Sequence, residues 1–178
     1  RDALRDRLGE RYEFVELSYK PYPCCRFNHT AIDAALALRA SADFRPERIR
    51  RIRAAVNRQA FEAVCTPVDV RKAPRNVVHA QFSIPFTVAT ALIDGAVRLD
   101  HFDEASLRRE DILALAQRVE AVVDEDIERE WSRNISPTEL TVELDDGTTK
   151  RIRVDCPLGH PRRPMSAGDF DAKAVDCF

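Results

Sequence analysis

Glycine is scarce, with five residues in a chain of 178, and that scarcity excludes several chemistries. A phosphate-cradling loop needs glycines at fixed spacing so that backbone N–H groups can close on the anion, and no such run is present. A nucleophile elbow and a dinucleotide-binding strand-turn-helix are missing too. Charge of one sign is equally absent. The net charge is −2 with acids and bases interspersed, so there is no basic field to attract nucleic acid or an anionic membrane. No apolar run approaches the roughly 20 residues of a membrane span. Five cysteines are an odd number in a chain too large to need stapling, which favours free thiols, a reducing compartment and hence the cytoplasm. Cys24 and Cys25 with His29, or Cys156 with His160, do not reproduce the paired spacing of a structural zinc site. No metal and no cofactor is expected, and the acidic run DEDIERE at 124–130 reads as a solvated face. Cys65, Cys156 and Cys177 read as small buried apolar residues. The single methionine is Met165, RDALRDRLGERYEF begins as if inside an element, and DFDAKAVDCF stops inside an amphipathic pattern. Both ends therefore read as cut, and the lack of a targeting peptide carries no information.

What the chain does have is concentrated in residues 20–38, KPYPCCRFNHTAIDAALAL. Pro21 and Pro23 fix φ and bias the residues before them toward extended backbone, which predicts a stiff approach carrying Lys20. Thr30 followed by Asp33 resembles a capping box, and Ala31, Ile32, Ala34, Ala35, Leu36 and Leu38 supply the apolar content of a helix on a core. Lys20, Cys25, Arg26 and His29 are then expected around a helix N-terminus. There, free N–H groups and the helix dipole favour an anion such as a small carboxylate. The plainer alternative is a solvated lysine and a histidine that merely opens a helix.

The rest of the chain supplies a scaffold. A short strand is expected at 14–17 and another at 49–56, where repeated arginines blur the alternation. Residues 58–76, broken by Pro67 and Pro74, read as a long surface excursion. Ser83 as N-cap, Pro85 in the first turn and Gly95 as terminator bound an apolar helix, the expected centre of the core. Short helices follow at 103–108 and 111–117, then a strand through Val119, Ala121 and Val123. Residues 139–144 and 150–154 alternate around Asp146-Gly147 and predict a hairpin. The pattern indicates a single α+β domain in two layers, with helices packed on one face of a mainly antiparallel sheet.

Three segments in register, KPYPCCRFNHTAIDAALAL, AQFSIPFTVATALIDG at 80–95 and GHPRRPMS at 159–166, resemble the C-terminal part of the MmgE/PrpD family. That family includes 2-methylcitrate dehydratases, cis-aconitate decarboxylases and iminodisuccinate epimerases. The resemblance runs over essentially the whole chain, but the chain matches less than half of a family member. It implies a lid domain closing over a large all-helical domain that carries most of the acids and bases, in a protein that dimerises through its helical domains.

The implied chemistry is that of a cofactor-independent lyase or isomerase acting on a small di- or tricarboxylate. A proton leaves next to a carboxylate, cationic groups hold the carboxylates and the enolate-like charge, and an acid and a base flank the reacting carbon. Lys20 matches the lysine that opens the family motif and is implied to bind a substrate carboxylate. Cys25 falls where cis-aconitate decarboxylases carry a catalytic histidine. A thiol does not normally titrate near neutrality as histidine does, although a helix N-terminus and nearby cations can lower its pKa. Cys25 is thus a modified acid/base, a lining residue, or the sign of a different reaction, and His29 is the neighbouring substitute. Phe86 stands where the decarboxylases have an active-site tyrosine, which argues against decarboxylation and leaves dehydration, hydration or epimerisation. Ser83 and Gln81 are further polar contacts, while His160, Arg162 and Arg163 belong to the junction with the helical domain, as structural or substrate-touching residues. The alternative reading is a non-catalytic binding or assembly module that kept the fold.

Overall fold

The computed structural model describes residues 7, 9–10, 12–42, 44–130 and 136–178. At its centre is strand β1 (Ile49–Val56), paired in parallel with β2 (Val119–Val123) and antiparallel with β3 (Thr138–Leu144). Strand β4 (Thr149–Val154) closes the hairpin with β3, so the sheet order is β2-β1-β3-β4 and all but one pairing is antiparallel. The turn is built by Asp146 and Gly147: Thr148 N–H donates to the Asp146 carboxylate at 2.9 Å, and Gly147 takes a φ of 82°.

The register explains both the pattern and its blurring. Ile52 lies opposite Val119 and Val142, and Ala54 opposite Ala121 and Leu140, so one face of the sheet is apolar and buried. The other face carries the arginines, each answered by an acid. Arg51 meets Glu120, Arg53 meets Asp124 at 3.5 Å, Arg151 meets Glu139 at 2.6 Å and Arg153 meets Glu130. Such exposed pairs contribute about 0–1 kcal/mol each, and their larger effect is to keep that face wet. The main helix layer therefore covers the apolar side.

Helices α1 (His29–Arg39) and α5 (Ile84–Asp94) lie side by side there. In α5 every residue from Ile84 to Leu92 is buried, the signature of a helix apolar on all sides. Its bounds are those expected: Ser83 Oγ accepts from Phe86 N–H at 3.0 Å, Pro85 sits in the first turn, and Gly95 ends the helix at φ 73°.

Several expectations need correction. Residues 13–16 form a 3-10 turn rather than a strand. The supposed surface excursion holds two short helices, α2 (Arg58–Val64) and α3 (Val68–Lys72), and buries Ala60, Val64 and Cys65. Pro67 and Pro74 punctuate helices too short to show a period. The capping box at Thr30 does not form. Thr30 is buried inside α1 and donates to the Ser136 carbonyl or pairs with Thr138, while a 3-10 turn over Arg26–Asn28 feeds the helix from behind. Finally, of the three cysteines expected to be buried, Cys65 is, but Cys156 is half-buried and Cys177 exposed.

The remaining elements are α4 (Val77–Gln81), capped by Asn76, α6 (Glu110–Gln117), α7 (Glu125–Glu130) and α8 (Ala167–Cys177). Where a helix was expected at 103–108, a 3-10 turn stands at Ser106–Arg108, preceded by another at Leu99–Phe102. The acidic run forms α7 and keeps its charges outside, with Ile127 as its buried anchor. Among the described residues no helix is long and apolar enough to cross a membrane.

Candidate functional site

The stiff approach predicted from Pro21 and Pro23 is present, and it is held from three sides. Tyr19 N–H donates to the Gly159 carbonyl at 2.8 Å. Gly159 itself takes a φ of 84°, and a Cβ there would lie 2.3 Å from the Tyr19 carbonyl oxygen, so no other residue allows the approach. Below it, the Asp33 carboxylate, 2% exposed, accepts from Tyr22 Oη at 2.6 Å, Leu158 N–H at 2.8 Å and Arg163 Nη1 at 2.6 Å. The third tie is to the end of α4. Cys25 N–H and Asn28 Nδ2 both donate to the Gln81 carbonyl at 2.9 Å, and Gln81 Nε2 returns a bond to the Pro23 carbonyl at 2.9 Å.

These ties leave a groove of about 330 Å³ beside the approach, with Lys20, Cys25, Gln81, Phe82 and Lys173 of α8 on its walls and no acidic side chain among the lining residues. Lys20 and Cys25 thus lie together, as expected. The source of the positive potential is different from the one expected. The helix start offers fewer N–H groups than expected: Cys25 N–H is spent on the Gln81 carbonyl and Asn28 N–H on the Cys25 carbonyl at 3.0 Å. Among the described residues, Lys20 and Lys173 are the charged side chains on its walls.

His29 and Arg26 turn away from the groove. His29 is fully buried, its ring edge-on to Tyr22 at 5.2 Å. Arg26 Nη1 lies 3.0 Å from His29 Nδ1 and 3.1 Å from the Leu158 carbonyl. A guanidinium has no acceptor, so Nδ1 is the unprotonated nitrogen and the proton sits on Nε2. Burial, and then the Arg26 guanidinium, push the imidazole pKa down to about 3, so the ring is neutral near pH 7. Cys24 is buried, and burial pushes its thiol up to about 12. Burial and the adjoining Asp33 carboxylate also hold the Tyr22 phenol protonated.

Ser83 and Phe86 do not reach the groove either. Ser83 is buried, and beyond capping α5 its hydroxyl donates to the Arg71 carbonyl at 2.5 Å. Phe86 is fully buried, with its ring 6.3 Å from that of Phe102. His160 and Arg163 pair in a small bridge, with Arg163 engaged by Asp33 and the Cys156 carbonyl. Among the described residues no three His, Cys, Asp or Glu side chains gather to hold a metal. A larger cavity, about 630 Å³, opens at the far end of α1 near Arg39, Phe44, Ile93 and Arg118. It contains none of the candidate residues, and Arg39 and Arg118 are engaged with the Leu92 and Ile49 carbonyls. Lys173 and the Asp33 clamp were not foreseen, because nothing local in the sequence ties residues 33, 158–163 and 173 to residue 20.

Two catalogued relatives are similar to the chain. Human cis-aconitate decarboxylase is 31% identical over 103 residues, 58% of this chain and 21% of that protein. The mouse cis-aconitate decarboxylase is 25% identical over 158 residues, 89% of this chain and 32% of that protein. The chain thus spans about a third or less of the length of these relatives. The model of the MmgE/PrpD C-terminal domain matches residues 22–178, from the phenol that hangs on Asp33 through the whole sheet to the last helix. The chain belongs to the MmgE/PrpD family, as its C-terminal domain.

Proposed function

We propose that this domain is the substrate-closing lid of a cofactor-independent lyase or isomerase acting on small di- or tricarboxylates, working with a helical domain of the same protein and, when complete, as a homodimer. The observation that carries the reading is the groove: a lysine on a rigid, triply anchored approach, walls free of acids, and a thiol and an amide beside it. Lys20 is exposed, so its side chain is free to close on a carboxylate. A charge-assisted hydrogen bond of this kind is worth about 1.5–3 kcal/mol, and more once a second domain excludes water. As negative charge spreads from the reacting carbon into the adjoining carboxylate, the same ammonium steadies it. The acid and base then come from the helical domain or from Cys25, since His29 is neutral and enclosed. Phe86, at the position that matches the decarboxylases' tyrosine, is buried off the groove and carries no hydroxyl, and this departure favours dehydration or epimerisation over the decarboxylation named for the two relatives.

The test is turnover in the complete protein with citrate-like substrates. Lys20→Ala is expected to abolish turnover while leaving the melting temperature unchanged, and retained activity would sink the assignment. A second reading, a binding or assembly module without chemistry, draws on the neutral His29 and on Cys25 and Phe86 where the decarboxylases use histidine and tyrosine. Failure of the complete protein to bind any di- or tricarboxylate in a thermal-shift panel would favour it.

A further inference from the structure

We propose that Lys173 of α8 is a second anion-holding group of the groove, so that Lys20 and Lys173 together seat two carboxylates of one substrate. The inference rests on the carboxylate reading above and names a residue that neither the motif nor its spacing singles out. Three observations carry it.

The first is the register of α8. Its half-buried side chains include Asp169, Lys173 and Asp176, one face of the helix at spacings of four and three, while Phe170, Val175 and Phe178 are exposed. The two acids of that stripe are spent locally. Asp169 accepts from Ser166 N–H at 2.7 Å and from its hydroxyl at 2.8 Å, and Asp176 accepts from Leu99 N–H at 3.1 Å and lies near Arg98. Between them Lys173 reaches into the groove.

The second is the contact that sets the register. Phe170 meets Tyr19 edge-on, with centroids 5.3 Å apart at 84°. Tyr19 is the residue before Lys20, and Phe170 lies one turn from Lys173 on the same helix, so a single aromatic contact brings the two ammonium-bearing segments together.

The third is the field. Both ammonium groups bear on the buried His29 ring behind the groove wall, adding to burial and Arg26 in disfavouring its protonated form. Two like charges over an acid-free wall repel one another until an anion lies between them, which is the electrostatic condition for binding a dianion rather than a monoanion.

The experiment uses Cys25, which shares the groove, as a local reporter in the 178-residue chain at low salt. Its alkylation is followed by peptide mass with iodoacetate, which is anionic, and iodoacetamide, its neutral counterpart. The ratio of the two rates reads the local potential and cancels accessibility. Lys173→Gln is expected to lower the iodoacetate to iodoacetamide ratio by about threefold, with Lys173→Arg restoring it. Citrate is expected to slow the iodoacetamide reaction in the wild type, and Lys173→Gln should need about tenfold more citrate for the same protection. An unchanged ratio in Lys173→Gln, with a lowered one in Lys20→Gln, overturns the assignment of Lys173 and leaves the carboxylate reading in place. A ratio that depends on Lys173 without any protection by citrate supports Lys173 as an anion-holding group and overturns the polycarboxylate reading instead.

Discussion

Asp33 and His29 sit on successive turns of α1, and both decide the site without touching the groove. Asp33 holds three partners in a buried position, so Asp33→Ala leaves Tyr22 Oη and Leu158 N–H unanswered. With Arg163 half free to find water, the expected loss is about 3 kcal/mol, read as a lowered denaturation midpoint, together with weaker anion preference at Cys25. His29 predicts a pH dependence. Its pKa falls from 6.5 in the unfolded chain to about 3 in the fold, so between these values the unfolded state binds the extra proton. The stabilisation is complete above pH 6.5 and is lost as the pH falls through that window, by about 1.4 kcal/mol per pH unit from this one group. His29→Gln should remove that share of the slope in urea titrations, and an identical acid limb in the variant would contradict the burial argument. Lys20 and Cys25 were legible in the sequence because proline stiffness and adjacency decide where they lie. The inward turn of Arg26 and His29 was not, since it follows from a 3-10 turn whose extra rotation no spacing rule records.

At the level of elements, the best-read piece is α5, whose cap, first-turn proline and terminal glycine are each local chemistry. Ser83→Ala is expected to cost about 1 kcal/mol for the cap and more for the Arg71 carbonyl it deserts, measured by chemical denaturation. The hairpin was equally plain, with alternation on both arms and a turn of Asp146 and Gly147. Helices α2 and α3 escaped notice because five to seven residues cannot display a 3.6-residue period, and their burial comes from contacts made far along the chain. The parallel pairing of β1 with β2 escaped too, since nothing in either strand says which neighbour it will choose. The loop carrying Gly159 offers a sharp test of the approach. Gly159→Ala places a methyl group against the Tyr19 carbonyl and forces the approach away from the loop. The expected result is a change in Cys25 alkylation with the sheet intact by far-ultraviolet circular dichroism.

For the molecule as a whole, the two faces of the sheet divide the labour: ion pairs and the short α7 lie on one side, and the main helix layer with the groove occupies the other. Helix α8 stands apart, for it buries no residue fully and turns its polar stripe inward. Its amide hydrogens are therefore expected to exchange far faster than those of α5, by a factor on the order of a thousand, and citrate should slow them if Lys173 engages it. Equal protection in the two helices would mean that α8 is anchored more firmly than its contacts suggest. The stitching of the approach has one more result. Asp33 meets Leu158 and Arg163 across 125 and 130 positions of sequence. A growing polypeptide emerging from the ribosome therefore carries Lys20, and even the Gln81 tie, long before it carries the partners of Asp33. Those two ties form only once residues 158–163 have left the ribosome, so the approach is completed by contacts made late in the folding of this domain.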